Sequence, residues 1–261
     1  MTNFIDITSR KNEIVLRVAS LQKSRARDEL GLFVTEGIKL FLEAADAGFV
    51  PTEVFVTEDF IKSEAFEKFL SENKCPKLYR VTGSVYEKMT TESAPEGILC
   101  VFNKFSLDST RDFLTILVEN IQDPGNLGTI LRSAAAFGAR EVVAVSSCDV
   151  FSPKTVRATM GALFRIPYKT FDNISSAVSY VRERGAKVYA AALSPESKDF
   201  LEVDTSCACV MIGNEGHGLS PEALSLSDAQ LIIPIKGVES LNASVAASIF
   251  LYDAMRKRNE R

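Results

Sequence analysis

The sequence predicts an α/β fold, and two observations carry that expectation. Short apolar runs with strand character alternate with longer stretches whose apolar residues recur at helical spacing. Several of the runs are apolar at consecutive positions, as strands buried on both faces are. A polar segment, NKFSLDSTRD over 103–112, suits a linker between two such stretches. The expected architecture is therefore a smaller N-terminal α/β domain over 1–105 and a larger domain over 106–261 built on a mostly parallel sheet.

In the first stretch, strand-like runs lie at 32–36, 53–57, 77–81 and 98–102, with helical patterns over 9–21, 37–47, 59–73 and 84–90. The second stretch opens on LTILVE at 114–119, an apolar run of the kind parallel strands show. Leu127, Ile130, Leu131, Ala134 and Ala135 then recur at helical spacing, and Gly138 stands where a helix would stop. Further strands are expected at 141–145, 188–193, 207–213 and 230–235. Helices are expected near 154–163, over 174–184 and over 242–258.

Composition narrows the function classes. The 261 residues are 46% hydrophobic and 25% charged, with a formal net charge of −4. No run approaches the about 18–20 apolar residues that a membrane helix needs, and no basic segment followed by an apolar block opens the chain. No membrane partner is expected. Five cysteines at irregular spacing do not make a disulfide framework, and Cys207 and Cys209 are expected as buried free thiols of one strand. A reducing cytoplasm fits this usage. The net charge argues against coating nucleic acid nonspecifically but leaves room for a local basic patch. With His217 as the single histidine, a multi-histidine metal site within one chain is excluded, and no metal is expected.

Three loops carry unusual chemistry. DPGNLG at 123–128 leads to Arg132, GNEGHG fills 213–218, and KGVESLN fills 236–242. In open α/β sheets ligands sit beyond the carboxyl ends of the strands, where these loops fall. Each loop also has a plain structural reading. Asn126 would cap a helix, Arg132 would be solvated, Glu215 and His217 would be exposed loop residues, and Ser240 or Asn242 would cap the last helix. The glycines lack the spacing of a dinucleotide or P-loop fingerprint, which argues against a nicotinamide-dependent oxidoreductase. Three such loops at the strand ends of one sheet point to a shared binding site.

The loops sit in longer segments with a specific likeness. NIQDPGNLGTILRSAAAFGA (120–139), VMIGNEGHGLSPE (210–222) and IPIKGVESLNASVAASIFLYD (233–253) resemble, in order and spacing, the three motifs of the SpoU (TrmH-like) branch of SPOUT RNA methyltransferases. SPKTVRATMGALFRIP (152–167) is a further family-like stretch. In the first segment, RKNEIVLRVASLQKSRARDELGLFVTEGIKLFLEA (10–44) carries the general pattern of the family's substrate-binding domain, which is similar to the ribosomal protein L30e fold.

The resemblance implies a C-terminal domain tied into a trefoil knot, a homodimer, and transfer of a methyl group from S-adenosylmethionine to a ribose 2′-hydroxyl of structured RNA. It assigns catalysis to Arg132, Asn126, Glu215, Ser240 and Asn242. It assigns the cofactor to Gly213, Ile233 and Leu241, with Asn214, Gly216 and Ile235 beside them, and Leu193 and Ser194 closing one side. Lys154, Arg157 and Arg165, together with Arg10, Lys11 and Arg25, are candidate RNA contacts; Lys169, Arg17, Lys23 and Arg27 are further basic residues of the same segments. The L30e-like domain favours ribosomal RNA, of the large subunit, as substrate. A transfer RNA substrate, or a catalytically silent RNA-binding or ribosome-assembly role, stays open at this point.

Overall fold

The computed structural model describes residues 3–75, 77–109, 114–214 and 216–260. The chain folds into two units, one made of Met1–Phe105 with Asp149–Phe164, the other of Ser106–Cys148 with Arg165–Arg261.

The first unit contains, in order, β1 (Ile5–Ile7), α1 (Glu13–Ser20), α2 (Ser24–Leu30), β2 (Leu32–Glu36), α3 (Ile38–Asp46), β3 (Glu53–Thr57), α4 (Glu58–Ile61), α5 (Ala65–Glu72), β4 (Leu78–Val81), α6 (Gly83–Met89) and β5 (Ile98–Asn103). Its sheet has the order β1-β4-β3-β5-β2, parallel across β1, β4 and β3 and antiparallel where β5 pairs with β3 and β2. Val15, Val18 and Leu21 at the α1 end meet Val85, Tyr86 and Met89 of α6 over Phe55 and Leu99 of the sheet. The single helix expected over 59–73 is two helices. The Ser63 hydroxyl donates to the Phe60 carbonyl at 2.7 Å, a local bond that competes with the helix ladder.

Asp149–Phe164, placed by sequence in the second domain, packs in the first unit. Phe151 meets Phe33 at 4.9 Å between ring centroids, and Phe164 meets Phe49 and Phe102 at 5.2 and 5.4 Å. Arg27, 2% exposed, donates from Nε and Nη2 to Asp149 Oδ2 at 2.8 and 2.6 Å and from Nη1 to the Leu21 carbonyl at 2.7 Å. The helix expected near 154–163 is shorter, α8 at Pro153–Ala158. Met160 and Gly161 take φ of 51° and 94°, which turns the chain into one 3-10 turn at Ala162–Phe164. The left-handed angle suits glycine, and a Cβ on Gly161 would also run into the Glu43 side chain.

The second unit contains β6 (Thr115–Glu119), α7 (Pro124–Ala136), β7 (Glu141–Val145), β8 (Tyr168–Phe171), α9 (Ile174–Arg182), β9 (Lys187–Ala191), β10 (Lys198–Asp199), β11 (Ala208–Ile212), α10 (Pro221–Ser225), β12 (Ala229–Ile232) and α11 (Ala243–Asn259). Its seven strands are all parallel, in the order β10-β12-β9-β11-β6-β7-β8. Leu117, Val143, Val188 and Met211 face Ile174, Ala177, Val178 and Val181 of α9. Alternate residues point to the other face, where Ile116, Val118, Val210 and Ile212 are buried and α7 and α11 pack. The all-parallel, doubly covered sheet is the α/β fold class expected from the continuous apolar runs.

Cysteine placement differs in part from expectation. No disulfide links the five cysteines, and Cys100 and Cys209 are buried. Cys207 is exposed, because β11 begins only at Ala208. Burial pushes the Cys100 and Cys209 thiols well above their ordinary range. Among the described residues no helix is long and apolar enough to cross a membrane.

Two outcomes follow from this packing. Asp149→Ala strands the buried Arg27 charge and should lower the unfolding free energy by about 3 kcal/mol, measured by urea denaturation. In the native protein an alkylating reagent should label Cys207 and leave Cys100 and Cys209 unmodified, with all five reacting after unfolding.

Candidate functional site

The carboxyl ends of β6, β9, β11 and β12 share one edge of the parallel sheet, and the loops leaving β9, β11 and β12 enclose a pocket of about 500 Å³. Ala191 and Leu193 come from the β9 end, Gly213, Asn214 and Gly216 from the loop after β11, and Ile233, Ile235, Ser240 and Leu241 from the loop after β12. Leu231, Ile212 and Phe250, all deeply buried, form the apolar floor. Of the residues expected at a cofactor, Leu193, Gly213, Asn214, Gly216, Ile233, Ile235 and Leu241 line this pocket. Ser194 does not. Its hydroxyl accepts from the Glu196 N–H at 3.1 Å and closes a turn.

The loop after β11 is tight for local reasons. Asn214 and Gly218 exchange backbone hydrogen bonds at 3.2 and 2.8 Å. Asn214 Oδ1 accepts from Gly216 N at 2.8 Å and His217 N at 3.3 Å, while Nδ2 donates to the Asn120 carbonyl at 3.1 Å. A Cβ at Gly213 would run into the backbone of Gly218 and Leu219, so the close approach of the two sides requires glycine there.

The loop after β6 separates roles that the sequence left merged. Asp123, not Asn126, caps α7: its Oδ1 accepts from Asn126 N at 2.9 Å, and Pro124 follows in the first turn. The Asn126 side chain instead meets Asn242, whose Nδ2 donates to Asn126 Oδ1 at 3.0 Å. Asn242 also caps α11, its Oδ1 accepting from Ser244 N and Val245 N at 2.9 and 3.4 Å. Ser133 meets Ser248 at 2.7 Å between hydroxyls, and Phe137 meets Tyr252 edge-on at 5.8 Å. These three pairings run in step along both helices, so α7 and α11 lie side by side in the same direction with their amino ends together.

The structure thus brings Asn126 and Asn242 together and sets Ser240 in the pocket wall. Arg132 is exposed on α7 and makes no hydrogen bond or ion pair among the described residues. Glu215 lies outside the described residues. Sequence reasoning missed Ala246 and Phe250, pocket residues four apart on α11 whose spacing is the same as that of ordinary core positions. It also left Glu239 unassigned, and Glu239 lines the pocket as the one acidic side chain among its described lining residues.

The candidate RNA contacts divide by partner. Arg10, Lys11 and Lys154 are exposed, as is Arg165. Arg25 is exposed and paired with Glu29 at 2.7 Å. Arg157 forms an ion pair with Glu92, Arg17 pairs with Glu53 at 2.6 Å, and Arg27 is the buried partner of Asp149. The last three serve the first unit's own packing.

Asn242→Ala should lower stability by about 1 kcal/mol through loss of the α11 cap, read by thermal or urea denaturation. Asn242→Asp keeps the cap, replaces the donation to Asn126 with a contact between two oxygens, and should lose less.

The SpoU rRNA Methylase family model matches residues 113–252, and the MRM3-like substrate binding domain model matches residues 12–100. The 23S rRNA (guanosine(2553)-2'-O)-methyltransferase RlmP of Bacillus subtilis is 31% identical over 94% of this chain and 97% of its own. The tRNA (guanosine(18)-2'-O)-methyltransferase of Thermus thermophilus is 40% identical over 56% of this chain and 75% of its own. The solved structure of AdoMet-bound rRNA methyltransferase from Sinorhizobium meliloti superposes with a TM-score of 0.83 at 29% identity, covering 97% of this chain and 98% of that one. Matched along both units in sequence and in fold, the chain belongs to the SpoU rRNA Methylase family.

Proposed function

We propose that the protein is an S-adenosylmethionine-dependent methyltransferase of ribose 2′-hydroxyls in RNA, and that its substrate is ribosomal RNA of the large subunit. The observation that carries this reading is the hydrogen bond between Asn126 and Asn242, the latter two residues along the chain from Ser240 in the wall of an apolar pocket at the strand ends. The pocket's residues suit the cofactor. Ile212, Leu231, Ile233 and Leu241 offer apolar walls for a purine, and the loop backbones offer hydrogen-bond groups at its edge. These are the loops that the family ties into its knot. S-adenosylmethionine supplies a methyl group activated by a positive sulfur.

The remaining work falls to side chains. The hydroxyl proton would leave to water: a guanidinium stays charged in proteins, so Arg132 acts by stabilising the developing alkoxide and the neighbouring phosphate, not as a base. The Asn126–Asn242 bridge and Ser240 hold the ribose in line with the methyl group, a contribution of position. Glu215 completes the set by family likeness. The paired amino ends of α7 and α11 favour negative charge nearby, which suits an RNA phosphate. Lys154, Arg165, Arg10, Lys11 and Arg25 extend the grip on the RNA backbone, and binding should weaken steeply with salt.

The ribosomal substrate is favoured because the 23S rRNA relative matches along 94% of the chain, the transfer RNA relative along 56%. We place a homodimer contact on the exposed apolar stripe of α11, where Val245 and Tyr252 are 46% and 53% exposed on one helix face. We place the enzyme in the cytoplasm, with its RNA.

The test is transfer of a radiolabelled methyl group from S-adenosylmethionine to total RNA of a strain lacking the gene, followed by digestion to nucleosides. Label in a 2′-O-methylnucleoside of 23S rRNA is expected; label in a methylated base or in transfer RNA would overturn the ribose or the ribosomal claim respectively. Arg132→Ala should reduce transfer by about 10²–10³-fold and leave cofactor binding intact, the size expected for losing one electrostatic stabiliser.

A further inference from the structure

Glu119, the last residue of β6, is a carboxylate only 9% exposed. Both of its oxygens are engaged by one residue of another loop. Oε2 accepts from Ser220 N and Oε1 from Ser220 Oγ, each at 2.7 Å. The same Ser220 Oγ accepts from Ala223 N at 3.1 Å and so caps α10. One residue further along, the Asn120 carbonyl accepts from Asn214 Nδ2 at 3.1 Å. The loop after β11 is therefore fastened to the end of β6 at Asn214 and at Ser220, and its pocket-lining residues Gly216, His217, Gly218 and Leu219 lie between.

A buried carboxylate is expensive unless its oxygens meet donors, and here both donors belong to Ser220. A glutamine could still pair with Ser220, its oxygen accepting from the N–H and its NH₂ donating to the hydroxyl oxygen, but it would give up the charge that strengthens both bonds. An apolar residue would satisfy neither. The charge is thus matched to a single task, holding Ser220.

We propose that Glu119 is a positioning residue for the cofactor: through Ser220 it fixes the wall of the pocket formed by the loop after β11. The proposal deepens the reading of that pocket as an S-adenosylmethionine site and rests on it. Glu119 lies below the loop and acts through its backbone, without a place in the pocket lining itself.

The experiment uses full-length wild type, E119Q, S220A and the double variant. Each is titrated with S-adenosylmethionine by calorimetry, and its amide hydrogen exchange is followed without cofactor. Loss of the charge assistance in E119Q, or of one charge-assisted hydrogen bond in S220A, should raise the dissociation constant by about tenfold. The double variant should lose less than the sum of the two single losses, as expected when two residues act through one link. Exchange should quicken at Gly216–Leu219 and stay at wild-type rates in β6 and β9. Wild-type affinity in E119Q, or exchange that quickens across the whole sheet, would overturn the proposal. If E119Q does not fold, S220A carries the test: it keeps the carboxylate and the Ser220 N–H and removes the hydroxyl, and S220T, which restores a hydroxyl to both Glu119 and the α10 cap, should recover wild-type affinity. A wild type that binds no S-adenosylmethionine would overturn the cofactor reading and the proposal together, an outcome distinct from a wild type that binds and variants that match it.

Discussion

Parallel pairing of all seven strands governs the second unit. Parallel neighbours cannot be joined by hairpins, so each strand returns over a face of the sheet, both faces become covered, and every carboxyl end collects on one edge. Loops that are distant in sequence then become neighbours. β11 lies between β9 and β6, so Asn120 and Asn214, 94 residues apart, share a hydrogen bond. The pocket, the asparagine bridge and the tethered loop after β11 are all consequences of that shared edge.

Within this frame, capping chemistry decides which polar side chains are available to a substrate. Asp123 satisfies the first turn of α7 and leaves the Asn126 side chain to reach across to Asn242. Asn242 serves two purposes because an amide has both an acceptor and a donor: Oδ1 caps α11 while Nδ2 bridges. A neutral amide pair also adds no negative charge at the paired amino ends of α7 and α11.

The central strands were legible in the sequence because burial on both faces leaves unbroken apolar runs, as at 115–119 and 208–212. The elements that were not legible lie where that rule fails. β8 is a half-exposed edge strand, β1 and β10 have three and two residues, and SRARDEL in α2 has no apolar stripe. At the site, loop composition and motif likeness located Gly213, Ile233 and Leu241 among the pocket residues. Neither could locate Phe250, whose spacing is that of any core residue, nor reveal that Asn126 and Asn242 touch across 116 residues. Charge was the poorest guide. Arg27 and Arg157 read like Lys154 in sequence, yet their partners Asp149 and Glu92 are visible only in three dimensions.

The segment Asp149–Phe164 has a consequence for how the chain reaches its fold. The first unit is discontinuous: Phe151, Phe164 and Asp149 belong to its core, yet they are synthesised after β6, α7 and β7 of the second. During vectorial synthesis, residues 1–105 must wait with Phe33 and Phe102 incompletely covered while part of another sheet emerges. A fragment cut at the linker would carry the same exposed aromatic surface permanently. The segment of the first unit that looks most like a free-standing substrate-binding module is therefore not autonomous, and recombining it with other catalytic units would require the later segment to travel with it.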